Sequence, residues 1–251
     1  MFRPRIIPVL LLQEDVLVKS VRFRNPRYIG DPINAVRLFN SMAADEILFL
    51  DINATSRGRC LSLELVRQIG EEAHMPFGVG GGFRNVDDIR AAIRAGAEKV
   101  VLNTAAVEVP GLVYEAAQTF GASSVAVCID VFKPRFGKEQ VFIRAGRKAT
   151  GISPVDYACR MRDEGAGEII VQSIRRDGAM QGYDLDLLRR ISEAVSIPVV
   201  ALGGAGSVQH LRDGYEEGMA SALAAGSLFV YQGPRKGVLI NYPQNTAAIF
   251  Q

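Results

Sequence analysis

The sequence is poor in the residues that staple small folds or hold metals. It has no tryptophan, two histidines and three cysteines in 251 residues. Cys60, Cys128 and Cys159 are scattered, with no CxxC spacing and no neighbouring histidine. That excludes a disulfide framework, argues against structural zinc and fits a reducing cytosol, so a cytoplasmic protein is expected. An excess of one charge is also missing: 29 Lys and Arg face 27 Asp and Glu, a net charge of +2. No sustained positive field, and so no nucleic-acid partner, is expected. Nor does any stretch approach the roughly 18 apolar residues of a membrane helix, so no membrane insertion is expected. The opening MFRPRIIPVLLL is basic and then apolar, but it lacks a small-residue cleavage site and runs into Gln13, Glu14 and Asp15. It reads as a buried first strand, not a signal peptide.

What is present is a core-forming chain, 48% hydrophobic and 22% charged, with 25 glycines. Short apolar runs alternate with amphipathic segments. The strand candidates are 5–11, 46–52, 75–80, 98–103, 124–130, 168–173, 197–202 and 221–226. Helical patterns lie near 31–42, 61–73, 86–95, 111–119, 153–164, 184–194 and 207–217, with a shorter one near 234–241. Asp31 before Pro32, Ser153 before Pro154, and Ser207 are capping residues at three of these starts. Continuous apolar strands followed by helices indicate a parallel sheet covered by helices, and eight such units of about 31 residues indicate an α/β fold, a single (β/α)8 TIM barrel.

The chain also repeats itself. ADEILFLDI (44–52) matches AGEIIVQSI (166–174), LELVRQI (63–69) matches LDLLRRI (185–191), and MPFGVGGGFRNV (75–86) matches IPVVALGGAGSV (197–208), all at a constant offset of 122. Two homologous half-barrels, about 1–122 and 123–251, fused into one domain are expected.

The working face of such a barrel lies at the C-terminal ends of its strands. Gly81 and Gly82 follow the third strand, and Gly203 and Gly204 the seventh; Asn103–Thr104 follow the fourth and Gly226–Ser227 the eighth. Glycine lets backbone N–H groups approach an anion, and the next helix adds its N-terminal dipole. One glycine run would equally serve a tight turn, but the pairing predicts two phosphate sites and a small molecule phosphorylated at both ends. Asp177 and Gly178, in the RRDG segment after the sixth strand, join these loops, with ordinary loop capping as the plainer role for Asp177. Asp130 ends the fifth strand and is a general acid/base candidate at the mouth. Aligning RIIPVLLL (5–12) with SVAVCIDV (124–131) puts Leu11 at the corresponding position of the first half. At the opposite end, Arg5, Glu46, Lys99 and Glu168 start strands one, two, four and six. Inward charges there must pair, and spacing alone favours a stabilising plug. No cofactor or metal-ligand set is apparent.

Together RIIP (5–8), GDP (30–32), FLDI (49–52), VGGG (79–82), GAEKV (96–100), NTAAVE (103–108), GAGEI (165–169), RDG (176–178), GYD (182–184) and GGAG (203–206) resemble the cyclase subunit of imidazole glycerol phosphate synthase, from histidine biosynthesis. The resemblance runs from residue 5 to about 230. It implies a barrel that receives ammonia from a glutamine amidotransferase (glutaminase) subunit at its N-terminal face and conducts it to the mouth. Arg5, Glu46, Lys99 and Glu168 match that family's ammonia gate, which turns the reading away from a plain plug, and Glu98 stands where the family has an Asp facing the glutaminase. The departures lie at the mouth. Of two family aspartates one matches Asp130 and the other falls on Leu11; the family segment CLDVKDGRVVKG reads VLLLQEDVLVKS (9–20), keeping Val18 and Lys19. Family hydroxyl positions are Val101, Gln172 and Leu202. Glu14 and Asp15 are out of register to replace the missing aspartate.

The altered first loop and the ending VYQGPRKGVLINYP (230–243) resemble a specialised branch found with surface-polysaccharide genes. That branch pairs with a glutaminase and supplies ammonia to a separate sugar amidotransferase making acetamidino groups in lipopolysaccharide (O-antigen) synthesis. The expectation is an ammonia-conducting barrel with weakened cyclase chemistry. The alternatives are a working histidine-pathway cyclase with Asp130 as the surviving acid/base group, and a non-catalytic scaffold.

Overall fold

In the computed structural model, which describes residues 3–233 and 235–250, eight parallel strands close on themselves. They are β1 (Arg5–Gln13), β2 (Ile47–Asp51), β3 (Phe77–Gly80), β4 (Lys99–Leu102), β5 (Val125–Phe132), β6 (Glu168–Ser173), β7 (Val199–Leu202) and β8 (Ala222–Ala225). Each pairs in parallel with the next, and β8 closes on β1 with Arg5 opposite Ala222. Outside run α1 (Pro32–Ser41), α2 (Leu63–Glu72), α3 (Val86–Arg94), α4 (Thr104–Glu108), α5 (Leu112–Phe120), α6 (Pro154–Asp163), α7 (Leu185–Ala194) and α8 (Val208–Glu216). Among the described residues no helix is long and apolar enough to cross a membrane. Each helix turns its apolar face to the sheet, as with Leu65, Val66 and Ile69 of α2, and this layer forms the main core.

The expected caps are in place. Asp31, Ser153 and Ser207 accept bonds from the Asn34, Asp156 and His210 N–H groups, satisfying donors that the first helical turn leaves open. Ser207→Ala is expected to cost about 1 kcal/mol, read as a fall in the urea midpoint at unchanged slope.

The helix expected near 234–241 does not form. Tyr231–Gln232 pairs instead with Gly237–Val238 as a short hairpin; Pro234, inside that span, lies outside the described residues. Gly233 and Lys236 both have positive φ, and two glycines in five residues weigh heavily against a helix. The segment closes the wall by tertiary packing, with Tyr242 against Phe39 and Phe229 and its hydroxyl donating to the Ile6 carbonyl at 3.0 Å.

Two further hairpins rise over the mouth. In the first, β1 continues past Glu14 and Asp15 into Val16–Val21, which pairs with Arg24–Gly30. In the second, β5 pairs antiparallel with Gln140–Ile143, and that strand with Lys148–Ala149.

Inside the barrel the two-residue period of the strands stacks side chains in layers. Arg5, Ile7, Val9 and Leu11 climb β1; Ala126, Cys128 and Asp130 climb β5; Glu168, Ile170 and Gln172 climb β6. The middle is apolar, with Ile7, Leu48, Ala126, Ile170, Val200 and Ala222 in one buried cluster.

Candidate functional site

At the lower end of the interior four charges form a closed ring. Arg5 pairs with both Glu46 and Glu168, and the Lys99 ammonium lies 2.7 Å from Glu46 and 2.8 Å from Glu168. Each carboxylate bridges both cations, so charges alternate and cancel, as burial requires; Glu46 is 4% and Glu168 5% exposed. Burial opposes the Arg5 charge, but Glu168 and Glu46 outweigh it and raise its pKa. Glu98, beside Lys99, is exposed on the same face.

At the mouth the loop residues fall into two adjoining cavities. The larger, about 200 Å3, is lined by Gly81, Gly82, Asn103, Thr104 and Asp130. The smaller, about 30 Å3, is lined by Asp177, Gly178, Gly203, Gly204, Gly226 and Ser227. Leu11, Ser20 and Gln172 face both. The two groups of loop residues thus line separate cavities.

Some of these groups are already engaged. Asn103 Nδ2 donates to the Cys128 carbonyl at 2.9 Å, and Thr104 Oγ1 accepts from the Arg144 N–H at 3.0 Å. Gly82 and Gly204 are held by the preceding loop: a Cβ would lie 1.9 Å from the Arg59 carbonyl oxygen at the first and 2.1 Å from that of Gly182 at the second. Both have φ in the left-handed region, so glycine is required there by conformation and by close backbone approach alike.

Asp130 is 6% exposed. Burial, helped by nearby Asp177 and opposed by Asn103 and Cys128, pushes its pKa up to about 7. The native protein therefore keeps a proton that the unfolded chain releases near pH 4, so this residue's contribution to stability falls as pH rises through that window. Asp130→Asn is expected to melt above the wild type at pH 8, with the gap closing toward pH 4 in differential scanning calorimetry.

Leu11 sits across from this carboxyl in an apolar setting, with Leu50 beside it in register. Glu14 and Asp15 form the tight turn of the first hairpin, and Glu14 pairs with Arg57. Neither lines the cavities that Leu11 faces.

The sequence profile of the Histidine biosynthesis protein family matches residues 5–234. The chain belongs to that family. It is 44% identical over 247 residues to a Leptospira borgpetersenii protein provisionally named imidazole glycerol phosphate synthase subunit HisF, spanning 98% of this chain and 97% of that one. It is 45% identical over 231 residues to the imidazole glycerol phosphate synthase subunit HisF of Alkaliphilus metalliredigens (strain QYMF), spanning 92% of each.

In this histidine biosynthesis family barrel, sequence reasoning missed two features of the site, the roles of Lys19 and Asp51. Lys19, known only as a retained position, is buried in the smaller cavity; its ammonium donates to the Val9 carbonyl at 2.6 Å and lies 2.2 Å from where a Gly226 Cβ would stand. Burial, against the pull of Asp177, pushes its pKa down to about 8, leaving it mostly charged at neutral pH. Asp51 accepts from the Asn53 and Ala54 N–H groups and pairs with Arg59 at 2.8 Å, fixing the β2 loop under the larger cavity. Asp177 is the clasp of the first hairpin, accepting from the Phe23 N–H at 3.3 Å and the Gln172 amide at 3.2 Å. Among the described residues no group of His, Cys, Asp and Glu is placed to hold a metal ion.

Proposed function

We propose that this chain is a cyclase-like barrel of the imidazole glycerol phosphate synthase type, which docks a glutamine amidotransferase at its N-terminal face and passes ammonia to its mouth. The observation that carries the reading is the intact four-charge ring beneath a mouth whose single catalytic carboxylate, Asp130, faces Leu11. Neutral ammonia crosses an apolar interior at little cost, whereas ammonium would enter it as an unpaired buried charge. The ring is the gate to that interior, and Glu98 contributes to the partner interface. Gly81, Gly82, Asn103 and Thr104 form one phosphate site, and Asp177, Gly178, Gly203, Gly204, Gly226 and Ser227 the other, with Lys19 as its cation.

Imidazole-forming chemistry is weakened here, since each member of an acid/base pair supplies roughly 10²–10⁴-fold. The ammonia instead serves a separate sugar amidotransferase in surface-polysaccharide synthesis, in the cytoplasm. The replacement of mouth polar groups by Leu11, Val101 and Leu202, together with the hairpin ending, supports this branch. The equal 122-residue spacing of α2 from α7 and of α3 from α8 supports two fused half-barrels.

A working cyclase is the second reading, favoured by Asp130 and the paired cavities. Purified barrel, ammonia and the aminoimidazole-carboxamide ribonucleotide substrate of the pathway decide between them. Turnover at least about 100-fold below that of an ordinary cyclase is expected, with glutamine hydrolysis by the glutaminase dependent on the barrel. Ordinary turnover would establish the second reading, and glutamine hydrolysis indifferent to the barrel would leave only a scaffold.

A further inference from the structure

The rim of the mouth carries a charge pattern that the chemistry above does not use. Arg22 and Arg24 flank Phe23 at the turn between Val16–Val21 and Arg24–Gly30 in the first hairpin, Arg147 follows the turn of the second, and Arg175 lies in the loop after β6. These tips meet. The Arg22 N–H donates to the Asp177 carbonyl at 3.0 Å, and its guanidinium donates to the Arg175 carbonyl at 3.2 Å. A Cβ on Gly146 would lie 3.0 Å from the Phe23 ring and 3.2 Å from Ile174. Phe23, Gly146 and Ile174 thus make an apolar knot with exposed arginines around it.

Among the described residues Arg22, Arg24, Arg147 and Arg175 have no ion pair. The acids adjoining these loops are otherwise engaged: the Asp177 carboxylate accepts from the Phe23 N–H and the Gln172 amide, and Glu108 pairs with Arg144 and Lys148. Because the whole chain carries only +2, this is a local concentration of like charge. It is unfavourable in the free protein and relieved by an anionic partner. Val21, in register with Arg24, is 47% exposed, and Tyr28, beside Arg27 further along the same strand, is 69% exposed. Exposed arginine and tyrosine together are the composition of protein interfaces.

We propose that this rim is a docking surface for an acidic face of a second protein, the enzyme that takes up ammonia leaving the mouth. The identity of that enzyme rests on the proposed function; the docking surface itself does not. Arg22, Arg24 and Arg175 line neither glycine-lined cavity, while Arg147 also lines the larger one; their spread over three loop tips suits a broad macromolecular face better than a small phosphate. Their confinement to one end of a nearly neutral molecule favours an acidic protein over a nucleic acid.

Two measurements on the glutaminase–barrel complex test this, comparing wild type with the Arg24→Glu/Arg175→Glu variant, whose changes lie outside both cavities. In the first, fluorescent poly-L-glutamate and a single-stranded oligonucleotide are titrated. Wild type is expected to bind poly-L-glutamate, with affinity falling as salt screens the patch and at least about tenfold weaker in the variant. Absent binding, or equal binding by the variant, overturns the docking surface; tighter binding of the oligonucleotide overturns the protein partner. In the second, the sugar amidotransferase is added, and product is measured from glutamine and from free ammonium. The variant is expected to hydrolyse glutamine and to support ammonium-driven product like wild type, while glutamine-driven product falls about tenfold or more. Wild-type transfer by the variant overturns the proposal. If wild type itself yields product from ammonium but none from glutamine, the proposed function fails, and the poly-L-glutamate result alone decides the docking surface.

Discussion

Glu168→Ala is expected to lower the unfolding free energy by about 3–5 kcal/mol, the cost of removing one partner from a buried ion pair. For a chain of this length that corresponds to a drop in melting temperature on the order of 10 °C, measured by thermal circular dichroism at pH 7. The carboxylate bridges Arg5 and Lys99; without it two cations share Glu46, and the ring passes from neutral to singly positive in a largely buried place. Glu168→Gln should fall between, because the amide keeps hydrogen-bond acceptance but not charge. The control is Glu64→Ala, which breaks the exposed pair with Arg67 and should cost at most about 0.5 kcal/mol. A loss of under about 1 kcal/mol for Glu168→Ala would mean that water screens the ring. The sign of the whole-ring replacement bears on function. Well-packed apolar residues in place of buried ion pairs are often neutral or stabilising, so a gain in stability on replacing the whole ring would support the proposed gating role over anchoring.

Most of the barrel was legible because its strands are continuous apolar runs and its helices start at Ser or Asp caps, both local signals. The hairpins over the mouth were not. In the first, the turns at Glu14–Asp15 and Arg22–Phe23 adopt positive φ without glycine, so the usual Asn-Gly or Gly signal is missing there. Arg24–Gly30 is exposed along most of its length and includes Pro26, which reads as loop in any pattern of burial. The same gap hid part of the site. The ring charges stood out as ionisable residues at strand starts, but the burial of Lys19 depends on a hairpin register set by tertiary contact. Asp51 was visible only as a letter in FLDI; its work of holding the β2 loop is done through backbone N–H groups that no pattern of side chains reveals.

Leu11→Asp is expected to raise imidazole-forming turnover by about 100-fold or more, the contribution of one acid/base partner. Leu11 lines both mouth cavities, and Asp130 lines the larger, so the new carboxylate would face the same bound substrate from the opposite half. Its neighbours Leu50, Val101 and Leu202 are apolar, which would raise its pKa, while two carboxyls at one site push each other's ionisation apart. Asp130, already near 7, would then serve as the acid and the new group as the base, and the pH–rate profile should turn from a single limb to a bell. Asp130→Asn in the Leu11→Asp background should abolish the gain, a coupling that a double-mutant cycle isolates. If the folded Leu11→Asp protein stays as slow as wild type, the obstacle lies in the other replacements. The Val101→Ser/Leu202→Ser addition then becomes the decisive variant, since it restores hydroxyls to the same layer of the mouth without touching either carboxyl.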